Sequence, residues 1–261
     1  MKKIKVLNII SDTNIGGAGK CIITYCKNYD SNKFEIIVVM PKNSLLKPEI
    51  EKCKVKVIEI DGLKDKSLDF TAIGKIKKII KEIKPDIVHT HASLSARLAA
   101  KQYGKCKIIY TKHCDFPISD KFRYGIVRKV NQILNENLTD KIIATSELAK
   151  ENLIKQGIRE ELIETVLNGV DGFKEISQEE KIKIREKYKI KPEEITIGYL
   201  ARIEELKGHG YFIEAAEKLK QKPYRFLIMG SGSYEETAKK KVKELRFRRK
   251  SNFYRLYFRC G

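Results

Sequence analysis

The chain has 261 residues, 42% hydrophobic and 34% charged, a balance that excludes disordered and fibrous classes and leaves room for one large domain or two of about 100–150 residues. No run reaches the roughly 18 apolar residues of a membrane-spanning helix. Lysine and arginine outnumber acids 54 to 34, a net charge of +20, which favours an anionic partner: phosphorylated substrate, anionic lipid or nucleic acid. The lysines are spread over nearly every expected helix rather than gathered in a patch, so no nucleic acid is expected.

The opening MKKIKVLNII has the lysines and apolar stretch of a signal peptide, yet it stops at Ser11-Asp12 without a small-residue cleavage site and alternates as a buried strand does. From there strand-like and helix-like segments alternate. Strands are expected over 4–10, 34–40, 55–60, 86–90, 107–111 and 141–145, with helices over 19–29, 69–83, 93–103, 121–137 and 146–156. Apolar runs of this length suit parallel strands covered on both faces, and the alternation predicts βαβ units in a doubly wound α/β sheet. The first loop, Asn14-Ile15-Gly16-Gly17-Ala18-Gly19-Lys20, sits at the corner where helix amides meet ligands. It is not a Walker A loop, which needs glycine where Asn14 stands and Ser or Thr where Cys21 stands. It is not a dinucleotide fingerprint either, because Ile22 replaces the required small residue. Gly16 and Gly17 then either turn the chain or leave room for a phosphate or sugar.

Polar groups gather at the ends of the fourth and fifth strands, in DIVHTH (86–91) and YTKHCD (110–115). Polar residues are costly inside a buried strand and natural at its carboxyl end. His113, with Thr111 and Asp115 beside it, is the candidate functional histidine; His89 reads as a hydrogen-bonded structural residue. His89 and His91 are expected on opposite faces and so not to share a metal. The six cysteines (Cys21, Cys26, Cys53, Cys106, Cys114, Cys260) show no CxxC pair and read as reduced thiols.

A short strand over 163–167 leads to the turn Asn168-Gly169. The polar helix 178–188 follows, and then the alternation restarts with strands over 195–200 and 224–229 and helices over 208–220 and 235–245. The expected domains are 1–168, a linker and helix over 169–192, a partial second domain over 193–245, and a basic tail over 246–261. In LARIEELKGH (200–209), Arg202 and Lys207 lie where a second strand meets a second helix, a placement suited to a diphosphate. Met229-Gly230-Ser231-Gly232 supplies another glycine turn on the same edge.

Together IGGAGK, DIVHTH, YTKHCD, IIATSELAKENLIKQGI, VLNGVD, LARIEELKGHGYFIEAA and FLIMGSG, in this order over residues 4–245, resemble the family-4 retaining glycosyltransferases of the GT-B architecture. The resemblance implies one complete Rossmann-like domain plus the first part of a second, with a nucleotide-sugar donor between them. It also implies a glycan or lipid-linked acceptor, and no cofactor or essential metal. Carried over by position, Arg202 and Lys207 hold the donor diphosphate, with Gly230 in the facing turn. His113 lies by the donor sugar, and Gly16 and Gly17 line the phosphates and acceptor. A sugar-nucleotide epimerase of similar fold, or an inactive carbohydrate-binding fragment, is the alternative. A cytoplasmic place is expected, with an anionic inner membrane surface as a further candidate partner.

After Leu245 the resemblance stops. The family pattern V-x-F-x-G and the E-x7-E helix are missing, and Arg246, Arg248, Arg249, Lys250, Arg255 and Arg259 appear with no acid over 246–261. Written in A-rich codons and shifted one base forward, this stretch reads GLEEKVIFTGYISDV, the family's expected continuation. The chain is therefore expected to be truncated by a frameshift and impaired in transfer.

Overall fold

The computed structural model describes residues 2–63, 68–91, 93–113, 122, 124–245 and the backbone of 251–254. They form two compact units, dividing between Gly172 and Phe173. The sequence sets its boundary at 168; the structure keeps residues 169–172 with the first unit, where Lys27 pairs with Asp171 at 2.9 Å, and puts the polar helix in the second.

In the first unit the strands are β1 (Ile4–Ile10), β2 (Phe34–Pro41), β3 (Lys56–Ile60), β4 (Ile87–His91), β5 (Lys107–Lys112), β6 (Lys141–Ala144) and β7 (Ile163–Thr165). They form one parallel sheet in the order β3-β2-β1-β4-β5-β6-β7. The order reverses direction between β1 and β4, so the crevice at their carboxyl ends is where such a sheet offers a site. Helices α1 (Gly17–Asn28), α2 (Lys47–Lys52), α3 (Phe70–Ile83), α4 (Leu94–Tyr103), α5 (Gly125–Asn137) and α6 (Glu147–Lys155) connect the strands. Their starts follow from local chemistry: Asp69, Ser93 and Ser146 each accept the backbone N–H of a first-turn residue, satisfying donors the helix leaves unpaired.

Strand alternation divides the core. Leu7, Ile9, Val88 and Ile108 pack with α3 and α4 on one face, while Val6, Ile10, Ile36 and Val38 pack with α1 and α2 on the other. On that second face α1 and α2 cover only the β1–β3 side. Ile87, Ile109 and Ile143 line an apolar cavity of about 490 Å³ that reaches His89, His91 and Thr111.

The second unit holds α7 (Gln178–Lys187), β8 (Ile195–Leu200), α8 (His209–Lys218), β9 (Tyr224–Met229) and α9 (Glu235–Glu244). Ser177 and Glu180 cap α7 reciprocally. Ile203, Ile213, Phe226, Ile228, Ala238 and Val242 form its core. Two further elements were not expected from sequence. The six-residue α2 is too short to show a period. The strand β10 (Ser251–Tyr254) pairs in parallel with Phe226–Met229, so the sheet has three strands in the order β10-β9-β8, one of them inside the stretch read as a tail.

Candidate functional site

Polar side chains of the first unit converge at the carboxyl ends of β1, β4 and β5. Parallel register sets Asn8 beside His89 and Ile10 beside His91, and His91 beside Thr111 on the other side. His89 and His91 share a face: their ring centroids are 4.4 Å apart. This corrects the sequence reading that they point oppositely, because residues two apart in a strand face the same way. The His91 ring stacks on His113 at 5.0 Å, and its Nδ1 lies 2.7 Å from His113 Nε2. His91 Nε2 is 3.4 Å from Asn8 Oδ1, and His89 Nε2 is 2.7 Å from Thr111 Oγ1.

With Asn8 accepting from His91 Nε2–H, His91 Nδ1 is the acceptor of a hydrogen bond donated by His113 Nε2–H. His113 Nδ1, buried and without a hydrogen bond among the described residues, is then a free acceptor. Burial, and then the His113 charge, push His89 down to about 4. Burial pushes His91 well below the ordinary value, with His89 and His113 adding to it, and burial lowers His113 as well. The three rings are therefore neutral at physiological pH. The arrangement can orient a hydroxyl but brings no positive charge. Asp115 and Cys114 lie outside the described residues.

Gly16 and Gly17 lie at the carboxyl end of β1. Gly16 caps α1 in an extended conformation with φ −89°, and neither glycine is among those with positive φ. Backbone strain therefore does not require glycine at either position. A Cβ on Gly17 would meet nothing within 4 Å, so the space before the helix amides is open. Gly19 differs, since a Cβ there would strike Leu46. Among the described residues no group of three or more His, Cys, Asp or Glu is arranged to hold a metal ion.

In the second unit Arg202 follows β8 on a segment anchored to the turn after β9. Ala201 N–H donates to Met229 O at 3.1 Å and Ile203 N–H to Ser231 O at 2.9 Å. The approach is close enough that a Cβ on Gly230 would collide with the Ala201 carbonyl and one on Gly232 with that of Ile203. Gly230 also has φ +139°, a value other residues rarely adopt. Its role is thus to seat the Arg202 segment. Arg202 is 72% exposed and pairs with Glu204 at 2.8 Å. Lys207 is exposed, and its carbonyl accepts a hydrogen bond from Tyr199 Oη. Gly208, at φ +77°, ends that turn and opens α8. Arg202, Lys207 and Gly230 thus share the carboxyl edge of one sheet, as Gly16, Gly17 and His113 share that of the other. The sequence reading passed over Asn8, although a polar residue among the apolar residues of β1 is a visible signal, and named His91 without giving it a role.

A doubly wound unit with polar groups at its carboxyl edge, followed by a βα unit with a cationic, glycine-seated loop, defines the GT-B class of glycosyltransferase folds. The family model for Glycosyltransferase Family 4 matches residues 15–172, and that for Glycosyl transferases group 1 matches residues 180–255. The chain belongs to Glycosyltransferase Family 4. It is 26% identical over 237 residues to the 41.2 kDa protein of the cps region of Klebsiella pneumoniae, covering 87% of this chain and 63% of that protein's length. A glycosyltransferase from Rickettsia africae ESF-5 matches the fold with TM-score 0.80 and 22% identity, over 99% of this chain and 69% of its own. Anabaena Alr3699/HepE, solved with UDP and glucose, matches with TM-score 0.77 and 18% identity, over 97% of this chain and 70% of its own.

Proposed function

We propose that this chain carries the machinery for transferring a sugar from a nucleotide-sugar donor to a glycan or lipid-linked acceptor, with retention at the anomeric carbon and without a metal. The observation carrying this reading is the Arg202 segment, which is seated by Gly230 and Gly232 and leaves a mostly exposed guanidinium at a strand's carboxyl edge. Arg202 and Lys207 hold the donor diphosphate, a fork and a point charge suited to phosphate oxygens. They stabilise the charge that builds on it as the sugar departs. His113, which burial keeps neutral, lies by the donor sugar. The open space before Gly17 admits phosphate or acceptor. The UDP and glucose held by HepE support a nucleotide-sugar ligand, and the acceptor is met at the inner face of an anionic membrane. The tail over 246–261 is an out-of-frame reading that impairs transfer, and resequencing the gene after the Leu245 codon checks this.

Calorimetric titration with UDP-sugars, on this chain and on its frame-restored form, tests the assignment. Arg202→Ala and Lys207→Ala should each cost about 1.5–3 kcal/mol, or roughly 10- to 150-fold in donor affinity. A frame-restored protein indifferent to both substitutions refutes the diphosphate roles. Sugar interconversion without acceptor would establish an epimerase instead.

A further inference from the structure

Lys207 sits where two helical turns fail to join. The one-turn helix Glu205–Lys207 ends on Gly208, whose left-handed φ of +77° redirects the chain into α8. Lys207 N–H donates to Glu204 O and Gly208 N–H to Glu205 O, both at 3.0 Å, but the amides of Tyr211 and Phe212 both turn to Gly208 O, at 3.0 and 3.2 Å. Among the described residues no backbone N–H therefore reaches the Lys207 carbonyl. A carbonyl left over at a helix end needs a side chain or water. Here the partner comes from the strand: the Tyr199 hydroxyl of β8 donates to it.

The tyrosine ring is clamped, which aims the hydroxyl. It stacks on Phe212 with centroids 5.2 Å apart and planes 22° from parallel, and it leans on the fully buried His209 at 4.9 Å. Phe212 in turn meets Phe226 of β9 edge-on at 5.9 Å, so the stack is continuous with the core of the second unit. A phenylalanine would make the same ring contacts, and packing alone does not account for the hydroxyl. Tyr199 also stands three residues before Arg202. The strand thus leads directly into Arg202 and holds Lys207 through Tyr199. Both cationic side chains are exposed, so the spacing of their charges is set by the backbone at their roots.

We infer that Tyr199 is a positioning residue: its hydroxyl fixes the turn from which Lys207 projects and so holds the Lys207 ammonium at a set reach from Arg202. This rests on the reading that the two cations hold the donor diphosphate. A lysine is a point charge on a flexible four-carbon stem. A turn free to rock spreads that charge over a larger volume, and binding then has to restrict it. Tyr199 touches no donor atom in this role and acts through Lys207 alone.

Tyr199→Phe keeps the ring stack and deletes only the hydroxyl. Amide hydrogen exchange of the 261-residue chain should quicken by about five-fold over residues 205–210 and stay unchanged over β9, because one hydrogen bond of ordinary net strength is lost. Calorimetric titration with UDP should show an affinity about five-fold lower in Tyr199→Phe. A tyrosine that only stabilises the fold would cost the same whatever stands at position 207, so a double-mutant cycle decides. In a Lys207→Ala background Tyr199→Phe should cost nothing further, and in an Arg202→Ala background its five-fold loss should persist. Unchanged exchange over 205–210 overturns the assignment. So does UDP affinity equal to the parent's where Lys207→Ala weakens it, or an equal Tyr199→Phe loss with and without Lys207. UDP binding that is absent, or indifferent to Lys207→Ala, counts against the diphosphate reading instead, and the exchange measurement alone then decides whether Tyr199 holds the turn.

Discussion

Neutral histidines packed at a sheet edge make stability depend on pH in a window that carboxylates do not share. Between its folded and unfolded pKa values, a histidine with a depressed folded pKa binds fewer protons folded than unfolded. Stability is then full above the ordinary value of 6.5 and falls as the pH drops below it. For His89, lowered from 6.5 to about 4, the loss at pH ~5 is about 2 kcal/mol, since 1.5 pH units at roughly 1.36 kcal/mol each lie inside the window. His91 lies well below the ordinary value and acts in the same direction, so the whole drop exceeds the His89 share. A carboxylate with an unfolded pKa of about 4.3 contributes little at that pH. Urea unfolding at pH 7.5 and 5 should show this drop, and His89→Gln, which can still hydrogen-bond Thr111, should remove about 2 kcal/mol of it. The reasoning fails if the pH slope of His89→Gln between these values matches that of the parent chain.

Three further outcomes follow from the second unit. Arg225 pairs with Glu194 at 3.2 Å, with side chains only 11% and 12% exposed; Arg225→Met should cost about 3 kcal/mol in urea unfolding by stranding a carboxylate. Burial raises the Glu194 pKa, but the Lys191 N–H and the Arg225 guanidinium outweigh it and hold the group below the ordinary carboxylate value. Its contribution is thus complete above about pH 4.5 and is lost as pH falls further, a dependence that acid melts of the Arg225 variant should show more weakly, with the Lys191 N–H still in place. Gly230→Ala should lose about 3 kcal/mol or more, from strain and collision with Ala201, and thermal melts will show it. Glu204→Gln frees Arg202 from its ion pair and should tighten UDP-sugar binding by about two- to five-fold in calorimetry.

Much of this architecture could be read from residue patterns. The apolar runs of β1 and β9 fix their bounds, since a largely buried strand has no polar register to slip along. Asp69, Ser93 and Ser146 announce helix starts because each is a short acceptor before an apolar period. Histidines 89 and 91 were misplaced because strand parity was misapplied, residues two apart sharing a face, and the His91–His113 contact depends on the register of β4 against β5, which no local pattern states. Gly230 was legible as a turn, but its collision with Ala201 needs the third dimension. The outward apolar face of α5, with Ile126, Val130 and Ile133 exposed, was invisible, because periodicity reveals that a helix has two faces and not which one meets the core. The strand β10 was hidden by composition.

With Ser251–Tyr254 in place, β9 has neighbours on both sides, and its run Phe226–Leu227–Ile228 is sealed from any passing chain. A version of the protein ending at Leu245 would uncover a row of unpaired amides and carbonyls along that apolar segment, an invitation to intermolecular strand addition. Those few backbone bonds move the open edge from the apolar β9 to Ser251–Tyr254, and shortened expression variants should precipitate more readily than the 261-residue chain.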